Sequence, residues 1–156
     1  MRLKSSSGER EVAASAFFQG LLTTDVAPDE MLVDIEYPKP QSRSGACFME
    51  VARRRGDFAI AGVAAIVTLD VGDACAGVRL ALCGVGETPV DASEAVTFLV
   101  GQPCADAPLK AAAAAVEAVV DPSGNVHATA DYQKHLAGVL TQRALRTAYQ
   151  RALHAA

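Results

Sequence analysis

Ala46-Cys47-Phe48-Met49-Glu50-Val51-Ala52, then Arg53-Arg54-Arg55-Gly56-Asp57-Phe58, then the almost unbroken apolar run from Ile60 to Leu69 is the stretch that decides the fold. The first segment reads as a strand, and the three arginines with Gly56 and Asp57 interrupt it. Periodicity alone leaves Ile60 to Leu69 open between a buried strand and an Ala-rich helix. The residues after Leu69 favour a strand: a turn at Asp70-Val71-Gly72-Asp73, then Gly77 and the β-rich segment Val78 to Val85. Two paired antiparallel strands around that turn are the expectation.

Upstream, Glu30 to Tyr37 alternates. Leu32, Asp34 and Glu36 share one face; Met31, Val33, Ile35 and Tyr37 share the other, and Pro38 ends the strand. Glu11 to Leu22 reads as a short strand and a helical turn, with Phe17, Phe18, Leu21 and Leu22 as buried anchors. Residues 1–10, polar and Ser-rich, read as a flexible lead-in to one domain spanning 11–156. Downstream the chain turns helical. Asp91 with Glu94 has the spacing of a capping box, opening a short helix that stops at Gly101. Asp106 and Pro108 start a second helix, which carries Ala111 to Ala115 and is broken at Asp121-Pro122. A last helix from about Ala130 to Leu153 places Tyr132, Leu136, Val139 or Leu140, Ala144, Ala148 and Ala152 on one stripe. Strands first and helices afterwards make an α+β domain.

Composition bounds the function. The 156 residues are 51% hydrophobic and 21% charged, with no Trp, so a core of small and branched side chains is expected. A net charge of −4 argues against nucleic acid as partner. No apolar run approaches the roughly 18 residues that a membrane span needs, and a soluble cytoplasmic protein is the reading. Cys47, Cys75, Cys83 and Cys104 follow no metal-binding rhythm and read as buried free thiols. The histidines stand apart from them, and no metal site and no catalytic triad is expected. Exposed Ala faces on the helices would allow a homodimer.

Taken together, Asp29-Glu30-Met31-Leu32 through Pro38, Ala52-Arg53-Arg54-Arg55-Gly56-Asp57-Phe58-Ala59, and Gly84-Val85-Gly86-Glu87-Thr88-Pro89 carry a resemblance. Tyr132 to Ala137 with Arg143 to Leu145 adds to it more weakly. From about Gly8 onward the chain resembles the C-terminal domain of the FAD-binding (medium) subunit of molybdenum hydroxylases, the carbon monoxide dehydrogenase and xanthine dehydrogenase family. The resemblance implies a small antiparallel sheet with a layer of helices on one side. It also implies a place beside FAD-binding, iron–sulfur and molybdenum subunits.

The same resemblance maps flavin-facing positions onto Leu32, Phe48 and Met49. In xanthine dehydrogenase the position of Met49 is a Lys, so a cation at the flavin edge is missing here. The preceding FAD-binding domain, whose glycine-rich loops grip the pyrophosphate, is expected to be absent. Gly84-Val85-Gly86 reads as backbone punctuation rather than a phosphate loop, and FAD is therefore expected only with a partner chain. Arg53, Arg54 and Asp57 read as an ion pair tying the strand to the next segment. The alternative is a free-standing domain that has lost the flavin and takes a small apolar ligand or runs a cofactor-free reaction. No residue earns a catalytic role.

Overall fold

A computed structural model describes residues 1–155. The chain divides into two compact units, Met1–Pro40 and the segment from Gln41 on. The sequence reading expects one domain from residue 11 and a flexible lead-in before it. The lead-in is instead a hairpin: β1 (Arg2–Ser5) pairs antiparallel with β2 (Gly8–Glu11). The reason lies in one residue. Leu3 is fully buried and packs with Val12 and Phe17, and a single apolar residue leaves no periodicity to read.

In this first unit α1 (Ala14–Phe17) is one turn, followed by β3 (Phe18–Gly20) and β4 (Thr23–Thr24). Phe17 is buried as expected. Phe18, Leu21 and Leu22 are exposed, because β3 and β4 form a tight hairpin with Leu21 and Leu22 at its tip; Leu22 sits at φ +54°. β5 (Met31–Asp34) pairs with β1, Leu32 opposite Leu3, so the sheet order is β2-β1-β5. The expected strand through Tyr37 is shorter since β1 offers no pairing beyond Arg2.

Arg10 closes this unit. Its guanidinium donates to both carboxylate oxygens of Glu30 at 2.6 and 2.7 Å, and to Asp25 Oδ2 at 2.6 Å. Glu30 Oε2 also accepts from the Ala27 N–H at 2.9 Å. The Arg10 hydrogen bonds, then the Ala27 amide, hold the Glu30 carboxyl well below the usual carboxylate range, at about 2. With a depressed native value, this contribution is complete above the ordinary value of 4.5 and is lost as pH falls toward 2. A carboxyl titration followed by NMR should show Glu30 with its midpoint near 2, and Arg10→Ala should return it toward 4.5. A midpoint already near 4.5 in the unaltered chain would contradict this.

The second unit carries the antiparallel sheet β6 (Ser44–Val51), β7 (Ala61–Leu69), β8 (Cys75–Cys83) and β9 (Val90–Asp91), in that order. Phe48 lies opposite Ala64 and Met49 opposite Val63 in β7; Ala64 lies opposite Ala81 in β8. The open question over residues 60–69 is settled as strand. Val63, Ala65, Val67 and Leu69 face the core, while Ala64 and Ile66 face outward. The turn expected at Asp70 is held by its own carboxylate, which accepts from the Gly72 and Ala74 amides at 2.8 and 3.0 Å.

A 3-10 helix (Glu94–Leu99), α2 (Asp106–Val119) and α3 (Ala130–His154) come next. The expected capping box does not form. Asp91 Oδ1 accepts from the Ser93 amide, and the Ser93 hydroxyl accepts from the Leu80 N–H at 3.1 Å, so both groups serve the β8–β9 edge. α3 does have a side-chain cap, Thr129 Oγ1 accepting from the Tyr132 amide. Its buried stripe runs through Gln133, Leu136, Ala137, Leu140, Ala144, Ala148 and Ala152, with Leu140 rather than Val139, and leaves Tyr132 half exposed. α3 lies across β6 and β7, and α2 packs on α3, so the helices form one layer on one side of the sheet. This is the α+β arrangement that the resemblance implies. The alanines matter because only a methyl lets α3 lie this close to the strands.

Candidate functional site: the open face of the sheet

Side chains alternate along a strand, so each strand of the second unit gives one set to the helix layer and the other to the opposite face. On that opposite face Phe48 is 58% exposed and Ile66 45%, with Ala46, Ala64 and Ala81 exposed between them. Gly62 fixes the floor. A Cβ there would lie 2.7 Å from Cys83 Sγ, 3.4 Å from Phe48 Cζ and 3.5 Å from Glu50 Cβ. The Phe48 ring therefore leans over Gly62, and Glu50 and Cys83 border it. Burial, helped by the Glu50 charge, pushes the Cys83 thiol up, which keeps it protonated and unreactive at neutral pH. The result is a flat patch of small apolar groups with one aromatic ring. It can hold a planar ring by contact, with the exposed Glu50 at its border and the exposed Arg79 of β8 opposite Ile66 on the same face.

Phe48 and Met49, two of the positions expected to face a flavin, do not share a face. Phe48 and Met49 are neighbours on β6 and so face opposite ways: Phe48 lies outward, and Met49 packs against the main core. That is a correction that a period of two should have supplied. Leu32 belongs to the first unit, on β5, where it is 37% exposed.

The Arg-Gly-Asp segment behaves as read from sequence. Arg54 Nε donates to Asp57 Oδ1 at 2.9 Å, Arg53 Nε lies 3.6 Å from Oδ2, and Gly56 supplies the positive φ of +87°. Arg55 stays exposed there, and Phe58 is 99% exposed at the end of the loop. Of the free thiols, Cys47 and Cys75 are buried, but Cys83 and Cys104 are only partly so.

FAD needs both a ring surface and a phosphate cradle. Gly84-Val85-Gly86 is filled by the protein itself. Gly84 has φ +77°, a Cβ on it would lie 2.7 Å from the Ala59 oxygen, and its carbonyl accepts from Gln133 Nε2 at 2.8 Å. The residues described fit the ring side of the cofactor and not its pyrophosphate. Gln133 is the group that sequence reasoning missed. It is 3% exposed and also donates to the Ile60 carbonyl at 3.0 Å. Its signal was a Gln on an otherwise apolar helical stripe. A half-open cavity of about 580 Å³ in the first unit also left no mark in the sequence; there Arg2 pairs with Asp34 at 3.3 Å and Glu11 at 3.6 Å. Among the described residues no helix is long and apolar enough to cross a membrane.

Comparison with known proteins places this geometry. Residues 46–148 match the family described as CO dehydrogenase flavoprotein C-terminal domain. The chain is 33% identical to the 6-hydroxypseudooxynicotine dehydrogenase complex subunit alpha of Paenarthrobacter nicotinovorans, over 96% of the chain and 50% of that protein. It is 34% identical to the carbon monoxide dehydrogenase medium chain of Afipia carboxidovorans, over 96% of the chain and 52% of that protein. The chain thus spans about half the length of these curated relatives. Among solved structures, CO dehydrogenase from Oligotropha carboxidovorans superposes with a TM-score of 0.90 at 33% identity, covering 96% of this chain and 52% of that one. Quinoline 2-oxidoreductase from Pseudomonas putida 86 does so with 0.90 at 35% identity, covering 98% and 53%.

Proposed function

Because this chain belongs to the CO dehydrogenase flavoprotein C-terminal domain family, we propose that it forms the ring-facing wall of the flavin site in a molybdenum hydroxylase-type oxidoreductase. The observation that carries this is the superposition of nearly the whole chain on half of a CO dehydrogenase chain. Phe48 on the open face is the ring contact of the second unit in this reading, and Met49 supports its strand from the core side. FAD, when bound, supplies the hydride and electron chemistry. This chain's own work is to orient the ring by apolar contact and to keep water from it. The phosphates belong to a glycine-rich FAD-binding partner segment, and iron–sulfur and molybdenum subunits complete the assembly. The loop that exposes Arg55 and Phe58 offers a charge and an aromatic ring for docking to such a subunit.

The test mixes the chain with FAD and a glycine-rich FAD-binding partner chain, then tracks visible absorbance through gel filtration. Flavin should travel with the complex, and Phe48→Asp should weaken its retention about tenfold, the result of placing a charge against an apolar ring face. Flavin that never co-elutes, or that is held equally by Phe48→Asp, overturns the reading. Thermal stabilisation by small apolar compounds without any flavin retention would favour the flavin-free alternative instead.

A further inference from the structure

β5 ends the β2-β1-β5 sheet on one side and pairs with β1 along its inner edge alone. Among the described residues, its outer edge and the backbone of 35–38 beyond it make no other backbone hydrogen bond. The side chains along this stretch are apolar and exposed: Met31 69%, Val33 46%, Ile35 42% and Tyr37 80%. An open apolar edge is a template for another strand, and edges are commonly blunted by Lys or Pro. Residues 31–37 contain neither. The core beneath is small as well, with Leu3, Val12 and Phe17 as its buried hydrophobics in a unit that runs from Met1 to Pro40. A unit of that size needs further apolar burial to be stable.

We propose that the outer edge of β5 receives an extended strand from the FAD-binding half of the flavoprotein, so that both halves share one sheet; this rests on the flavin-subunit reading above. The relatives point to this occupant. They align with 96% of the chain and are about twice as long, and the matched C-terminal domain, residues 46–148, leaves the first unit outside it. The relatives therefore carry the first unit together with a half that this chain does not match. Charge disfavours a second copy of the chain. In a two-fold antiparallel pairing one residue lies opposite its own copy. Centred anywhere from 32 to 36, such a pairing sets two of the carboxylates Glu30, Asp34 and Glu36 against each other, and like charges directly opposed are destabilising. Asp34 is matched within the unit by Arg2 at 3.3 Å, so the exposed Glu36 is left for a cation of the incoming strand. Apolar side chains of that strand would lie beside Val33 and Ile35.

The chain is co-expressed with the half of the Afipia carboxidovorans medium chain that it does not match, and complexes are isolated by a tag on that half, without added FAD. The two should co-purify, and exchange of amides 31–37 should slow about tenfold in the complex. The Ile35 N–H bonds to no other backbone group of the chain. Ile35→Pro should therefore keep the circular dichroism melt while weakening binding about tenfold. Glu36→Lys should weaken it about fivefold. Val126→Asp, at an exposed position of the second unit, should bind like the unaltered chain. Because no FAD is present, failure to pair and failure to retain flavin are separate results. No co-purification, binding indifferent to both Ile35→Pro and Glu36→Lys, or protection of 31–37 through self-association of the chain alone would each overturn the proposal.

Discussion

Gly45→Ala should lower the melting temperature of the second unit by about 10 °C, although it adds a single methyl. β6 runs so close to α3 at this point that a Cβ would collide with the Ala148 carbonyl oxygen and the Ala152 nitrogen, and sit 2.9 Å from the Arg151 carbonyl carbon. All three are backbone atoms of a long helix, so no side-chain rotation relieves them. Either α3 moves off the sheet or β6 bends, and both open the layer packed by Ala144, Ala148 and Ala152. Overpacking of this kind costs about 3 kcal/mol, which for a unit of this size corresponds to about 10 °C. Arg151 adds a second loss, since its guanidinium caps the Ala46 carbonyl at 2.6 Å on the free edge of β6. Gly20→Ala is the control, because nothing lies within 4 Å of its Cβ position. Circular dichroism melts should separate the two, and an unchanged melt for Gly45→Ala would show that α3 does not press on β6 at this residue.

The second large effect lies at the Gly84 turn. Gly84→Ala forces φ +77° on an alanine and drives its methyl to 2.7 Å from the Ala59 oxygen and 3.0 Å from the Ile60 oxygen. Strain and collision together should cost about 3 kcal/mol. Gln133→Leu acts on the same turn by removing the two hydrogen bonds to the Ile60 and Gly84 carbonyls. Leaving those acceptors short of a partner should cost about 2 kcal/mol. Both changes break one joint, so the double variant should lose less than the sum. Urea unfolding of the two single variants and the double variant measures this. Strict additivity would mean that Gln133 and the Gly84 turn are independent.

How much of the fold was legible in the sequence depends on where each signal resides. The β6–β7–β8 meander could be read because β-branched residues, a turn built on Asp70 and a period of two all act within a few positions. α2 and α3 were legible for the same reason, and so was the Arg54–Asp57 pair, whose members are three residues apart. The first unit was not. Its hairpin rests on Leu3 and on Arg10 reaching across 20 residues to Glu30, a long-range bond that leaves no local pattern. The exposure of Leu21 and Leu22 was missed because a hairpin tip overrides hydropathy. Gln133 was missed for a related reason: it satisfies carbonyls 73 and 49 residues away.

By itself, then, the sequence determined the α+β class and the meander, because these arise from local propensity and alternation. Through its motifs it also determined the family. Only the tertiary structure decided that Phe48 and Met49 face opposite ways, that Gly84 serves a packed turn rather than a phosphate, and that Gln133 closes that turn. Each of these depends on which distant backbone a residue lies against, and closeness in space between segments far apart in the chain is created only when the chain packs.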